Sequence, residues 1–218
     1  MTKLPDPERM GHILMLAMEE VLGRDGLRAV LNTAGGCDDA RNPQAAESSL
    51  VAHTGSEPGE GHPAPLFPAM NHILWSLEKV YGPQAGQGIA QRVGRACFPY
   101  GLRQYGGLLG LTQTSFRLLP FPQKLKTMSL AFADLLRGYA DQHVYFEKSG
   151  GKLFWHMEGC PLCRQRHTVE PACHLAVGLA EESLYWLSGG KIFQVDEIAC
   201  TARGDPRCTL QIDESPLS

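Results

Sequence analysis

The sequence predicts an α+β fold in which helices pack on an antiparallel sheet of about four strands. Up to about residue 139, apolar residues recur at helical spacing, whereas the remainder holds two pairs of short alternating segments around one further helix. Short strands joined by tight turns pair antiparallel, so the two pairs form one sheet. With 218 residues, 43% of them hydrophobic and 20% charged, the chain is long enough for one good core.

The N-terminal region predicts two short helices and a long loop. Helices are expected over 9–22 and 25–32, with Gly23 between them. From 35 to 68 the chain is rich in Gly, Pro, Ser and Ala, which is typical of a mobile loop. We therefore predict a helical extension with a flexible loop at 1–68 and a main domain at 69–218.

The main domain begins with helices. Apolar stripes predict four of them, at 70–81, 85–105, 108–118 and 122–139. Small residues between Gly86 and Ala96 favour close packing of the second helix, and we expect this face to form part of a homodimer contact. Between these helices and the sheet we expect an apolar ligand cavity of roughly 300–1,000 Å³.

The C-terminal strands follow from a period of two. Segments 143–147 and 152–157 flank Ser149-Gly150-Gly151, which predicts a hairpin. A helix is expected from Pro171 to about Trp186, and a second strand pair at 191–199 and 207–213.

Cysteines concentrate in this part of the chain, with five of the seven between 160 and 208. Helix-start amides favour a thiolate at Cys173, and the second strand pair brings Cys200 close to Cys208. With Glu197 these thiols form a workable tetrahedral ligand set for Zn²⁺. Because residues three apart in a regular strand face opposite ways, Glu197 and Cys200 converge only if a bulge intervenes.

A second pair, Cys160 and Cys163, forms a CxxC turn after the first hairpin. It could be half of a zinc site, a dithiol switch, or two unrelated loop cysteines. Either thiol could replace Glu197 as fourth metal ligand. All five cysteines could also be small apolar core residues, since free cysteine is often buried.

Composition excludes several classes of function. A net charge of -3 gives no electrostatic footprint for nucleic acid. No apolar run approaches the ~20 residues of a membrane span. Glu19 and Glu20 interrupt the N-terminal apolar stretch, so we expect no signal peptide and a cytoplasmic location. Nucleotide-binding and nucleophile-elbow motifs are absent from the sequence, which favours a binding protein over an enzyme.

Several segments together resemble the 4-vinyl-reductase domain family. They are EPAC (170–173), VGLAEE (177–182), LSGGK (187–191) and, above all, VDEIACTARGDPRCTLQI (195–212). The resemblance is strong over about 160–213 and looser back to about 70.

The resemblance implies a ligand-binding fold shared with bacterial aromatic-responsive activators and a Golgi-tethering subunit, usually dimeric. Zinc in the aromatic sensors is held by residues that match Cys173, Glu197, Cys200 and Cys208 here. We therefore expect a soluble binding, sensor or accessory protein that holds a small hydrophobic, aromatic or tetrapyrrole-like ligand, with a structural zinc ion and a homodimeric state. Candidate ligand-binding residues are Trp155, His156, Phe116 and Phe132.

Two other functions stay open. One is a thiol or metal redox sensor that uses Cys160, Cys163 and Cys173. The other is a vinyl reductase of bacteriochlorophyll synthesis, which the family name implies.

Overall fold

The computed structural model describes residues 7–35, 66–140, 143–163 and 166–217. Six α-helices lie in these ranges: α1 (Pro7–Gly35), α2 (Leu66–Tyr81), α3 (Pro83–Tyr105), α4 (Thr114–Arg117), α5 (Phe121–Ala140) and α6 (His174–Ser188). The strands are β1 (His143–Ser149), β2 (Lys152–Glu158), β3 (Val195–Ala199) and β4 (Cys208–Asp213). None of the described helices is long and apolar enough to cross a membrane.

The four strands form one antiparallel sheet in the order β1-β2-β4-β3. The β1–β2 turn requires glycine, because Gly150 and Gly151 have φ values of 60° and 76°. Alternate strand side chains, such as Trp155 and Leu210, are buried in a core shared with the helices. The predicted α+β architecture, with helices on a four-stranded antiparallel sheet, is confirmed.

The predicted break at Gly23 is also confirmed. Gly23 lies within α1 with φ 70° and ψ 171°, so the element consists of two helical halves joined at a kink. Leu14 in the first half and Val30 in the second are buried in the main core. The predicted loop falls almost wholly at 36–65, outside the described residues, and the domain division at 68 stays a prediction.

Two predicted helices differ in extent. Instead of a helix over 108–118, successive turns lead to the single helical turn of α4, since Gly110 has φ 73° and interrupts the helical path. The last helix starts three residues after Pro171, with Cys173 as its N-cap. Strand β3 is also shorter than 191–199, because pairing with β4 begins at Val195.

Helices α3 and α6 approach each other unusually closely, through glycine. A Cβ atom on Gly94 would collide with the Leu175 carbonyl oxygen, and one on Gly178 with the carbonyl oxygen of Gln91. Polar contacts reinforce the pair, since the Arg95 guanidinium donates to the Glu181 carboxylate (2.8 Å). This packing fixes the helix whose start carries Cys173.

The small residues of α3 are therefore used within the chain. Gly94 faces α6, and a Cβ on Gly86 would collide with the backbone of Leu77 and Glu78 in α2. Assigning this face to a dimer contact was wrong, because the close approach that these residues permit is already made by α2 and α6. A homodimer then depends on the family resemblance alone.

Candidate metal centre

A β-bulge creates the geometry of the centre. In the β3–β4 register Glu197 pairs with Leu210 and Ala199 with Thr209, so Ile198 is an extra residue. Ile198 is exposed, while Glu197 and Cys200 both turn towards the buried side. The bulge required for these two residues to converge is present.

Five potential ligand atoms converge at this point. They belong to Cys163, Cys173, Glu197, Cys200 and Cys208, and all lie within 4.8 Å of one another. The sulfur of Cys163 lies 2.9 Å from that of Cys173, 3.4 Å from that of Cys200 and 3.7 Å from that of Cys208. All four cysteines are buried.

The C-terminal hairpin is held in shape by hydrogen bonds that surround these donors. The backbone N–H of Cys200 donates to Asp205 Oδ2 (2.8 Å), and Thr201 N–H donates to the sulfur of Cys208 (3.3 Å). Arg203 in turn donates from Nε to the Asp205 carboxylate (3.0 Å). Sequence reasoning missed these supporting residues, although Asp205 stands in the GDP turn of the motif and such partners orient ligands in metal sites.

Two further contacts place the segments that carry Cys173 and Cys163. The backbone N–H of Cys173 donates to Glu197 Oε2 (2.6 Å), which ties the start of α6 to β3. After the CxxC turn, Arg166 donates to Glu78 of α2 (2.8 Å) in a largely buried ion pair. The CxxC turn therefore packs between α2 and the hairpin, a long-range arrangement that sequence spacing cannot specify.

The electrostatics of the centre favour a cation. Burial and the neighbouring Cys200 sulfur raise the pKa of Glu197 to about 9. Hydrogen bonds with Cys163 and Cys173 lower the pKa of the Cys200 thiol to about 6, whereas contacts with Cys160 and Cys163 raise that of Cys173. Without a cation, most of these donors must stay protonated because like charges this close cannot all ionise.

The donor set fits a single thiophilic ion. Tetrahedral zinc with Zn–S bonds of about 2.3 Å places its sulfur ligands roughly 3.8 Å apart, close to the 3.4 and 3.7 Å separations from Cys163 to Cys200 and Cys208. A polynuclear iron–sulfur cluster would insert bridging atoms between the thiolates and hold them farther apart. Glu197 Oε1 is buried without a hydrogen-bond partner, which leaves one more donor available.

A small apolar cavity lies between α5, α6 and the sheet. It is lined by Leu125, Met128, Ser129, Phe132, Phe146, Trp155, Ala180, Ser183, Leu184 and Ile212. Its volume of about 10 Å³ is room for roughly one water molecule. The cavity has the predicted location, but it is far smaller than expected because α5 packs directly on the sheet.

The four candidate ligand-binding residues separate into two groups. Phe132 and Trp155 both line the cavity, with ring centroids 6.2 Å apart. Phe116 belongs instead to a second apolar cluster, where it stacks on Trp186. His156 follows Trp155 in β2 and so faces the other side of the sheet, where a hydrogen bond joins its Nδ1 to Thr209 Oγ1 (3.0 Å).

Solved structures share this fold. The phenol-responsive sensory domain of the transcription activator PoxR, bound to phenol, is 18% identical and aligns over 67% of this chain and 73% of its own (TM-score 0.50). An Fe(II) unliganded H-NOX protein from K. algicida is 12% identical over 95% and 96% (TM-score 0.55). A trafficking protein particle complex subunit 3 from Naegleria fowleri, covalently bound to palmitic acid, is 10% identical over 68% and 95% (TM-score 0.50).

These identities are low, so the likeness concerns the fold. No curated protein matches the chain. The family model of the 4-vinyl-reductase domain matches residues 153–214, which include β2, the CxxC turn, α6 and the C-terminal hairpin. This range holds all five donors of the centre as well as the four sequence segments that carry the resemblance. The chain therefore contains a 4-vinyl-reductase domain over residues 153–214.

Proposed function

We propose that this protein is a small-molecule-binding sensor or accessory protein, whose ligand enters between α5 and the sheet. One observation carries the proposal. Trp155 is buried beside the apolar cavity, and its Nε1 has no hydrogen-bond partner. An unpaired buried N–H costs about 1–3 kcal/mol, and a ligand with an acceptor oxygen would remove that cost.

The structural relatives support the proposal. The PoxR domain holds phenol and the trafficking subunit holds palmitic acid, so the same fold accommodates both an aromatic and an aliphatic ligand. In this chain the cavity must open by displacement of α5, because its lining contacts close it to about 10 Å³. A single aromatic ring needs a smaller displacement than a tetrapyrrole, so phenol-sized compounds are the first class to test.

Replacing Trp155 with phenylalanine should weaken phenol binding selectively. The variant keeps an aromatic ring but loses the Nε1 donor, so the affinity for phenol should fall about tenfold, the equivalent of one hydrogen bond. The affinity for toluene, which lacks the acceptor, should stay unchanged. Isothermal titration calorimetry with both compounds measures the difference.

The matched control is Trp75→Phe, since Trp75 is exposed on α2 far from the cavity lining. It should leave both affinities at the wild-type value. If the wild-type protein binds neither compound, or if Trp155→Phe changes phenol and toluene binding equally, Trp155 does not serve as the ligand donor. Absorbance of protein purified from its native host tests for a bound tetrapyrrole separately.

For the metal centre we propose one structural zinc ion per chain. Cys173, Cys200 and Cys208 supply three ligands, and Glu197 or a thiol of the CxxC turn supplies the fourth. Four protein ligands leave no open coordination position, so the ion would stabilise the fold and would not act on a substrate. It would join the start of α6 to the β3–β4 hairpin and thereby support one wall of the ligand cavity, because Ala180 and Leu184 of α6 line it.

A thiol redox sensor is the second candidate. It is favoured by the short separations from Cys173 to Cys163 (2.9 Å) and to Cys160 (3.5 Å), since a disulfide requires thiols that lie this close. Thiol titration of the native protein before and after mild peroxide treatment distinguishes the two. A loss of two titratable thiols with retained folding favours the sensor, whereas unchanged titration with bound zinc favours the structural ion.

We also propose a homodimer, on the family resemblance. Light scattering at high protein concentration should give a mass near twice 23.8 kDa. A monodisperse monomer would contradict the proposal.

A further inference from the structure

The centre offers more donors than one tetrahedral ion uses. Five ligand atoms lie within 4.8 Å of one another, and the Cys160 sulfur lies 3.5 Å from that of Cys173. A structural zinc site takes four ligands. At least one of the converging groups must therefore have another role, and the choice is between Cys163 and Glu197 as the fourth ligand.

The position of Cys163 is that of a ligand. Its sulfur has short separations to all three of the other sulfurs, at 2.9, 3.4 and 3.7 Å. The CxxC turn that carries it is ordered by a hydrogen bond from the Cys163 amide to the Cys160 carbonyl (3.3 Å). Cys160 is not among the five mutually close donors, so the turn directs one of its two thiols into the centre.

Glu197 is occupied differently. Its Oε2 accepts a 2.6 Å hydrogen bond from the Cys173 amide, the contact expected of a carboxylate at a helix start. This bond fixes the first turn of α6 and hence the direction of the Cys173 side chain. The competing observation is that Oε1 has no partner and could reach an ion.

We infer that Cys163 is the fourth zinc ligand and completes a four-sulfur site, while Glu197 is a positioning residue that acts through the Cys173 amide. The inference rests on the proposed metal function and specifies its ligand set. A four-sulfur site would join three separate segments: the CxxC turn after β2, the start of α6 and the β3–β4 hairpin. Amide donors such as Thr201 N–H would offset its negative charge.

Zinc K-edge X-ray absorption on the purified full chain tests the inference without any substitution. We expect four sulfur scatterers at about 2.3 Å and no oxygen or nitrogen scatterer among the ligands. Three sulfurs with one oxygen at about 2.0–2.2 Å would overturn the assignment of Cys163 while leaving the zinc site intact. Protein that contains no metal by elemental analysis and takes up none would overturn the proposed metal function itself.

Variants then separate a ligand from a positioning residue. Glu197→Gln keeps an acceptor for the Cys173 amide, so it should retain the four-sulfur spectrum and lose less than about 100-fold in zinc affinity, as for supporting residues elsewhere. Cys163→Ser should lose more and replace one sulfur scatterer by oxygen. Cys160→Ser is the matched control and should change neither readout. A wild-type spectrum from Cys163→Ser, or the loss of an oxygen scatterer in Glu197→Gln, would contradict the inference.

Discussion

Replacing Cys208 with serine should reduce zinc content and thermal stability together. Cys208 lies fully buried at the start of β4, within the set of five donors, and serine is a poor zinc ligand. For a structural site the free energy of metal binding is part of the folding free energy. We expect a loss of about 4 kcal/mol or more, which lowers the melting temperature of a domain of this size by about 8–16 °C.

Elemental analysis and a thermal melt on the same sample measure both effects. Cys97→Ser is the control, because Cys97 is partly buried on α3 and does not belong to the converging set. It should keep one zinc per chain. Removing the metal from the wild-type protein with a chelator should lower its melting temperature to that of Cys208→Ser. An unchanged melting temperature in Cys208→Ser, with metal-free wild-type protein, would show that the cysteines are ordinary buried residues.

The same reasoning explains why a cation matters at this site. Burial raises the pKa of Glu197 to about 9, above its usual 4.5, so in the metal-free fold the carboxyl retains its proton at neutral pH. Its stabilising contribution is complete below about pH 4.5 and is lost as the pH rises through about 9. A divalent ion reverses this relation, because it favours the deprotonated form of every ligand around it.

Local sequence signals predicted the fold and much of the centre. The turn at Gly150 and Gly151, the kink at Gly23 and the convergence of Cys200 with Cys208 all follow from short-range patterns. The need for a bulge near Glu197 followed from strand geometry alone, since side chains alternate along a strand. These features share a cause: each is decided by a few neighbouring residues.

Features decided by distant contacts were not predictable in the same way. The CxxC turn enters the centre because the adjoining Arg166 pairs with Glu78, 88 positions earlier in the chain. Gly86 and Gly94 have the composition of an interface, and only the packing of α2 and α6 shows that the interface is internal. The cavity likewise depends on how closely α5 approaches the sheet, which amphipathic spacing does not determine.

Gly178→Ala should destabilise the protein more than an ordinary core substitution. At Gly178 a Cβ would collide with the Gln91 carbonyl oxygen, which is backbone and cannot rotate away. Overpacking of a core costs about 1–3 kcal/mol and more when no side chain can yield, so we expect at least about 3 kcal/mol. Gly94→Ala should have a similar effect, since its Cβ would meet the Leu175 carbonyl oxygen on the opposite helix.

Gly88→Ala supplies the matched control for this pair. Gly88 is exposed in the same helix as Gly94, and a Cβ there has nothing within 4 Å. It should stabilise α3 by about 0.5–1 kcal/mol, because alanine loses less backbone entropy than glycine in a helix. Urea unfolding of the three variants measures the difference. Since α6 carries Cys173 at its start, Gly178→Ala should also weaken zinc binding, whereas Gly88→Ala should not. Equal unfolding free energies for Gly88→Ala and Gly178→Ala would show that the two helices do not pack through their glycines.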